Sequence, residues 1–209
     1  PAMSATPGAS GMPRHVFVPT ALAVVVTLML IAAVVGWLVR PAYRAGRVRD
    51  LNVEANALAA EGVYDEALRC LDCAQEIAPD AAPTYYNRGR IHHVRGKLDE
   101  ALAQYERAIE LRPDYVKPLV NRAIIHAKRG DASLALEGLD RAISIDGAST
   151  AARYHRARLR ASRGDAAGAR RDLEALLAVD PGDASARAAF EKLGVPDDGA
   201  PVHERKPSP

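Results

Sequence analysis

The sequence of 209 residues predicts an all-α protein: four stacked helix pairs forming a solenoid, closed by a capping helix and preceded by one transmembrane helix. Three observations predict it. Gly62, Gly96, Gly130 and Gly164 fall 34 residues apart, with alanines and larger apolar residues at fixed offsets behind each. Apolar residues make up 48% of the chain but aromatics only 5%, and alanine carries much of the apolar share. Small side chains suit closely packed helices better than a sandwich of alternating Val, Ile, Tyr and Thr. Finally, an uncharged run of 24 residues, 16–39, precedes the periodic region.

Residues 1–15 form an N-terminal tail and are expected to be disordered. The run 16–39 is VFVPTALAVVVTLMLIAAVVGWLV. As a helix it would span about 36 Å, enough for a hydrocarbon core of about 30 Å with some tilt. Pro19 falls in its first turn, where a missing N–H does little harm. Trp37 lies at the far end, where an amphipathic ring suits the headgroup layer. A cleaved signal peptide would have an apolar region of only about 7–15 residues and a small-residue cleavage site; here Arg40-Pro41 follows directly.

Residues 40–47 read as a basic juxtamembrane linker. Arg40, Arg44, Arg47 and Arg49 crowd this flank, whereas Arg14 stands alone before the run. The positive-inside rule then places the repeats in the cytoplasm, as in a bacterial single-pass inner-membrane protein. A periplasm-facing array is the alternative, because a first segment with so short a lead can disobey the rule.

The repeats follow in four units, 48–81, 82–115, 116–149 and 150–183. Each glycine ends a first helix where a left-handed cap is cheap without a Cβ. Second helices carry Ala67, Ala101, Ala135 and Ala169, then Leu71, Tyr105, Leu139 and Leu173, on one face at helical spacing. Pro79, Pro113 and Pro181 close three units, with Gly147 in the third. One helix pair cannot bury its own apolar face, so stacking makes the core. Unit four departs most, at Arg153, Arg160, Gly168 and Leu176, as a terminal repeat can. Residues 184–193 place Ala186, Ala189, Phe190 and Leu193 on one stripe, a solvating cap stopped by Gly194 and Pro196. The polar, Pro-rich tail 194–209 is expected to be disordered.

The stretches GVYDEALRCLDCAQEIAPD and GKLDEALAQYERAIELRPD resemble the tetratricopeptide repeat (TPR), a family of 34-residue helix-turn-helix units. The resemblance implies a right-handed TPR α-solenoid whose first helices line a concave groove. The positions it places there are Asn52, Asn56, Ala59 and Ala60; Tyr86, Asn87, Arg90, His93 and Val94; Lys117, Val120, Asn121, Ile124 and Lys128; Tyr154, His155 and Arg158. These are amides, cations, rings and small apolar groups, with no carboxylate. The acids Asp65, Glu66, Asp99, Glu100, Glu106, Glu110 and Asp140 fall on turns and second helices. One subset of the family binds C-terminal carboxylates of chaperones through a five-residue clamp of Lys and Asn. Asn56, Asn87 and Lys117 match that clamp, but Asn52 and Asn121 stand where two of its cations would be. The resemblance therefore implies a groove for an acidic or mixed peptide rather than the full clamp.

No nucleophile elbow, phosphate loop or metalloprotease helix is present, and neither an enzyme nor a cofactor is expected. Cys70 and Cys73 form a C-x-x-C, but the register puts both inside a second helix, away from the N-terminus that activates a thiolate. His92 and His126, 34 apart, read as seam residues rather than metal ligands. A net charge of +2 without basic runs gives no reason to expect nucleic acid. The expected function is a membrane-tethered adaptor or scaffold holding a partner protein's peptide or acidic segment. The alternative is a periplasm-facing assembly factor or chaperone for an envelope complex. An open-ended array also allows a homo-oligomer or a place in a larger membrane complex.

Overall fold

The computed structural model describes residues 17–193, with side chains from Ala23 onward. Val16, the tails 1–15 and 194–209, and the stop at Gly194 and Pro196 lie outside the described residues. Among the described residues there are nine α-helices and no strand. The chain divides into two units between Arg47 and Val48, each described by itself.

In the first unit lies most of α1 (Phe17–Ala60), an unbroken helix with Pro41 inside it. From Ala23 it is long and apolar enough to cross a membrane, with a mean hydropathy of 2.3 over its best window and none of that window buried. Val24, Leu28, Met29, Leu30 and Trp37 are all exposed. Residues 40–47, set apart as a linker on their charge, continue the helix. Arginine and alanine are good helix formers, which favours that outcome.

The second unit begins with the last part of α1, from Val48, followed by α2 (Tyr64–Ile77). Then come the pairs α3 (Ala82–Val94) and α4 (Leu98–Leu111), α5 (Val116–Arg129) and α6 (Ala132–Ile145), and α7 (Thr150–Ser162) and α8 (Ala166–Val179). Helix α9 (Ala184–Lys192) closes the series. All four marker glycines have positive φ, from 74° to 90°. One residue beyond each, the backbone N–H closes a bond to a carbonyl five residues back. These are Val63 to Leu58, Lys97 to His92, Asp131 to His126 and Asp165 to Arg160, each 2.9 Å. This is the Schellman closure, which satisfies helix-end carbonyls and turns the chain back.

The second helices bury the predicted stripe. Ala67, Leu71 and Ala74 are fully buried, as are Ala101, Tyr105 and Ala108, and the pattern recurs at Ala135, Leu139 and Ala142. Ion pairs repeat with the units as well. Arg95 meets Asp65 at 2.8 Å, and Arg129 meets Asp99 at 2.6 Å. Arg88 pairs with Asp72, and Arg156 meets Asp140 at 2.6 Å.

The departures in the fourth unit prove to be working parts rather than decay. Arg153 donates to the Gly147 carbonyl at the unit boundary. Arg156 and Arg160 together hold Asp172, which is 2% exposed. Asp165 caps α8 by accepting from the Gly168 N–H at 2.8 Å. A Cβ at Gly168 would meet that carboxylate at 2.2 Å, so a larger residue there would push the capping side chain aside. Leu176 packs against Ala186 of α9, and Phe190 and Leu193 cover the same cluster.

Candidate functional site

The first helices of the second unit present one face carrying most of the residues singled out in the sequence. Its inner layer is an amide relay. Asn52 and Asn87 are each only 7% exposed, and the Asn87 amide donates to the Asn52 carbonyl oxygen at 2.8 Å. Asn52 in turn donates to the Val48 carbonyl and the Thr84 hydroxyl. These two asparagines, expected on the groove surface, are thus spent on each other and on the seam between α1 and α3. The physical reason is that a buried amide must satisfy its donors, and internal partners are already in reach. Asn87 reaches only the wall of a small cavity.

Above that layer sits an aromatic cluster. The Tyr86 ring lies 6.1 Å from Tyr105 and 5.3 Å from Tyr115, tilted to both. Asn121 donates to the Tyr105 hydroxyl at 3.4 Å. Burial raises the pKa of all three phenols, and the Arg90 guanidinium opposes the shift without reversing it. All three therefore stay protonated and neutral at physiological pH. Tyr105 and Tyr115 were not singled out as groove residues; Tyr115 precedes α5 in a turn, where periodicity carries no facing information.

The cations form the outer layer. Arg90, Lys117, Lys128 and Arg158 are exposed. Arg90 stands 5.9 Å from the centre of the Tyr86 ring, and Arg158 5.8 Å from that of Tyr154. Arg90 also donates to Asn56 at 3.2 Å. Burial holds His93 and His155 below the usual histidine range, and the nearby charges of Lys128 and Arg158 push the same way. At the seams, Arg88, Arg95, Arg129 and Arg156 are each paired with an aspartate. Arg90, Lys117, Lys128 and Arg158 meet no carboxylate among the described residues.

Two cavities open on this face. One, of about 90 Å³, is lined by Asn56, Ala59, Ala60, Tyr64, Asn87, Arg90, Ile91 and Val94. The other, of about 360 Å³, is lined by Ala123, Ile124, Ala127, Lys128, Leu139, His155, Arg158, Leu159 and Ser162. Neither lining contains an Asp or Glu. The two cavities draw in Asn56, Asn87, Arg90, Lys128 and Arg158 from the predicted set, whereas Lys117 lines neither. Cys70 is half-buried and Cys73 exposed, and both lie inside α2 as the register requires.

The family model of the tetratricopeptide repeat matches residues 82–115. The structure is similar to that of YrrB, described as a TPR protein with an unusual peptide-binding site. The two share 27% identity and a TM-score of 0.54, over 66% of this chain and 72% of that one. The chain carries a tetratricopeptide repeat at residues 82–115 within a TPR-like solenoid fold. Its TPR solenoid is also similar in fold to Pseudomonas aeruginosa pilF, with a TM-score of 0.67 and 15% identity over 72% of this chain and 68% of that one. A third similar fold is the first TPR of Spaghetti (RPAP3), solved with the HSP90 peptide SRMEEVD. It has a TM-score of 0.52 and 22% identity over 54% of this chain and 89% of that one. No curated protein sequence matches the chain. The TPR fold is that of a protein–protein interaction scaffold.

Proposed function

We propose that this TPR chain is a membrane-tethered, non-enzymatic adaptor whose first-helix groove holds an acidic segment of a partner protein. The observation that carries the reading is the segregation of charge. Arg90, Lys128 and Arg158 line cavities on the first-helix face without a carboxylate partner, while arginines at the seams are neutralised by ion pairs. Unpaired cations beside apolar walls favour a ligand that brings the carboxylates the face lacks. A repeat domain of similar fold holding a peptide with two glutamates and an aspartate is compatible with this chemistry. The tether is the apolar stretch of α1, and the arginines at 40–49 favour a cytoplasmic array.

Binding of labelled acidic and basic peptides to the full chain tests the groove. Replacing Arg90 and Lys128 together by Glu should lower affinity for the acidic peptide at least about tenfold, since each reversal turns an attraction into a repulsion. Unchanged affinity would sink the reading. For the tether, reporter fusions at the C-terminus should be active only with a cytoplasmic reporter. An external C-terminus would move the array to the periplasm and favour an envelope-assembly role.

A further inference from the structure

The two cavities on the first-helix face are built from the same register positions, 68 residues apart. Asn56 corresponds to Ile124, Ala60 to Lys128, Arg90 to Arg158 and Val94 to Ser162. Three of these four pairs differ in chemistry, and the arginine is kept. In the smaller cavity the Asn56 carbonyl oxygen accepts from Arg90 at 3.2 Å, which draws the guanidinium to the wall. In the larger one an isoleucine stands in place of that acceptor, so Arg158 has no amide to hold it there. Lys128 adds a second cation where the first cavity has only a methyl group. The volume grows from about 90 to about 360 Å³.

We infer that the cavity between α5 and α7 is the specificity pocket of this groove: it takes one aliphatic side chain of an acidic partner segment, with an adjacent carboxylate on Lys128 and Arg158. The inference rests on the groove reading given above. The walls from Ala123, Ala127, Leu139 and Leu159 are hydrocarbon, which rewards an apolar side chain by area buried. Polar groups converge from Lys128, Arg158, His155 and Ser162, and no acid lines the cavity to compete for the cations. An apolar cavity with a few converging polar groups is the ordinary form of a selective site. Charge complementarity fixes the occupant as acidic, and the hydrocarbon walls fix the neighbouring side chain as aliphatic.

The test uses the full chain in detergent micelles and three fluorescein-labelled peptides. The first is Gly-Ser-Asp-Leu-Glu-Gly-Ser, the second replaces its Leu by Ala, and the third replaces both acids by Lys. The Leu peptide should bind about tenfold more tightly than the Ala peptide, from the methylene groups it buries. Ala127→Leu and Ser162→Leu each fill the cavity and should bring that ratio close to one while leaving the Ala peptide bound. Thermal melts check that both variants fold. Equal binding of the Leu and Ala peptides, with acidic still preferred over basic, would overturn the pocket and leave the groove reading intact. No preference for acidic over basic peptides would overturn both. Loss of peptide binding in step with dimer formation as concentration rises would assign the cavity to a second copy of the chain and overturn the proposal.

Discussion

Asp172 is the most demanding single residue in the repeat unit. It is a carboxylate at 2% exposure, held by Arg156 at 2.9 and 2.5 Å and by Arg160 at 2.9 Å. The Asp172 hydrogen bonds raise the pKa of Arg156 above its usual value, against the pull of burial. A buried charge without partners costs several kcal/mol, so the three groups stand or fall together. Asp172→Asn keeps the shape but leaves two guanidiniums facing a neutral amide. The expected loss is about 3 kcal/mol, at the low end for a buried pair because both arginines are partly exposed. A urea melt measures it, and a shift of the midpoint too small to resolve would count against the triad. The sequence did not disclose this. Arg160 was legible as an anomaly, but its partner is a second-helix position 12 residues on, whose facing only the fold supplies.

The packing of paired helices shows a compensation of volumes. Second helices carry Leu71, Tyr105, Leu139 and Leu173 at one register position, so the second pair holds the largest side chain. First helices carry Ala55, Gly89, Ala123 and Ala157 at another, so the smallest residue falls in the same pair. A Cβ at Gly89 would lie 2.6 Å from the Tyr105 ring. Gly89→Ala should therefore cost about 1–3 kcal/mol by overpacking, although alanine is the better helix former. Tyr105→Leu in the same chain should recover part of that loss, and a double-mutant cycle reads the coupling. Additive effects would show that the two positions do not meet. Both substitutions are visible in the sequence, but only the contact explains why they occur together.

For the repeat unit as a whole, charge and burial set opposite responses to pH. His92, His93 and His155 lie below the usual histidine range, chiefly through burial. A depressed histidine is neutral in the folded chain and takes a proton more readily once unfolded. The stability it contributes is therefore full above the unfolded value of about 6.5 and is lost as pH falls through the lower folded value. The urea midpoint should fall between pH 7.5 and pH 5. Binding of an acidic peptide should strengthen over the same range, because protonated His93 and His155 add positive charge beside Lys128 and Arg158. His93→Gln with His155→Gln should flatten the binding response; an unchanged slope would place the titrating groups elsewhere.

At this scale much was legible. The 34-residue period gave the repeat order, and the glycine and alanine offsets gave the helix ends and buried stripe. The facing of Asn52 and Asn87 was not, because an asparagine on a first helix can serve a ligand or a neighbour equally well. Only the 2.8 Å bond between them decides it. The two cavities were hidden for a similar reason. Their linings combine residues from two first helices with Tyr64 of α2 in the smaller one and Leu139 of α6 in the larger.

The paired arginines and aspartates at the seams bear on how such a chain lengthens. Arg95 with Asp65 and Arg129 with Asp99 link the second unit to the first and the third to the second by the same offset of 30 residues. The second unit carries both partners, Arg95 and Asp99, so a whole extra copy of it would supply its new arginine with an aspartate. An extra copy of that unit would thus keep the seam's charges matched. The seam therefore marks the register of neighbouring units by charge as well as by shape, apart from whatever the groove binds.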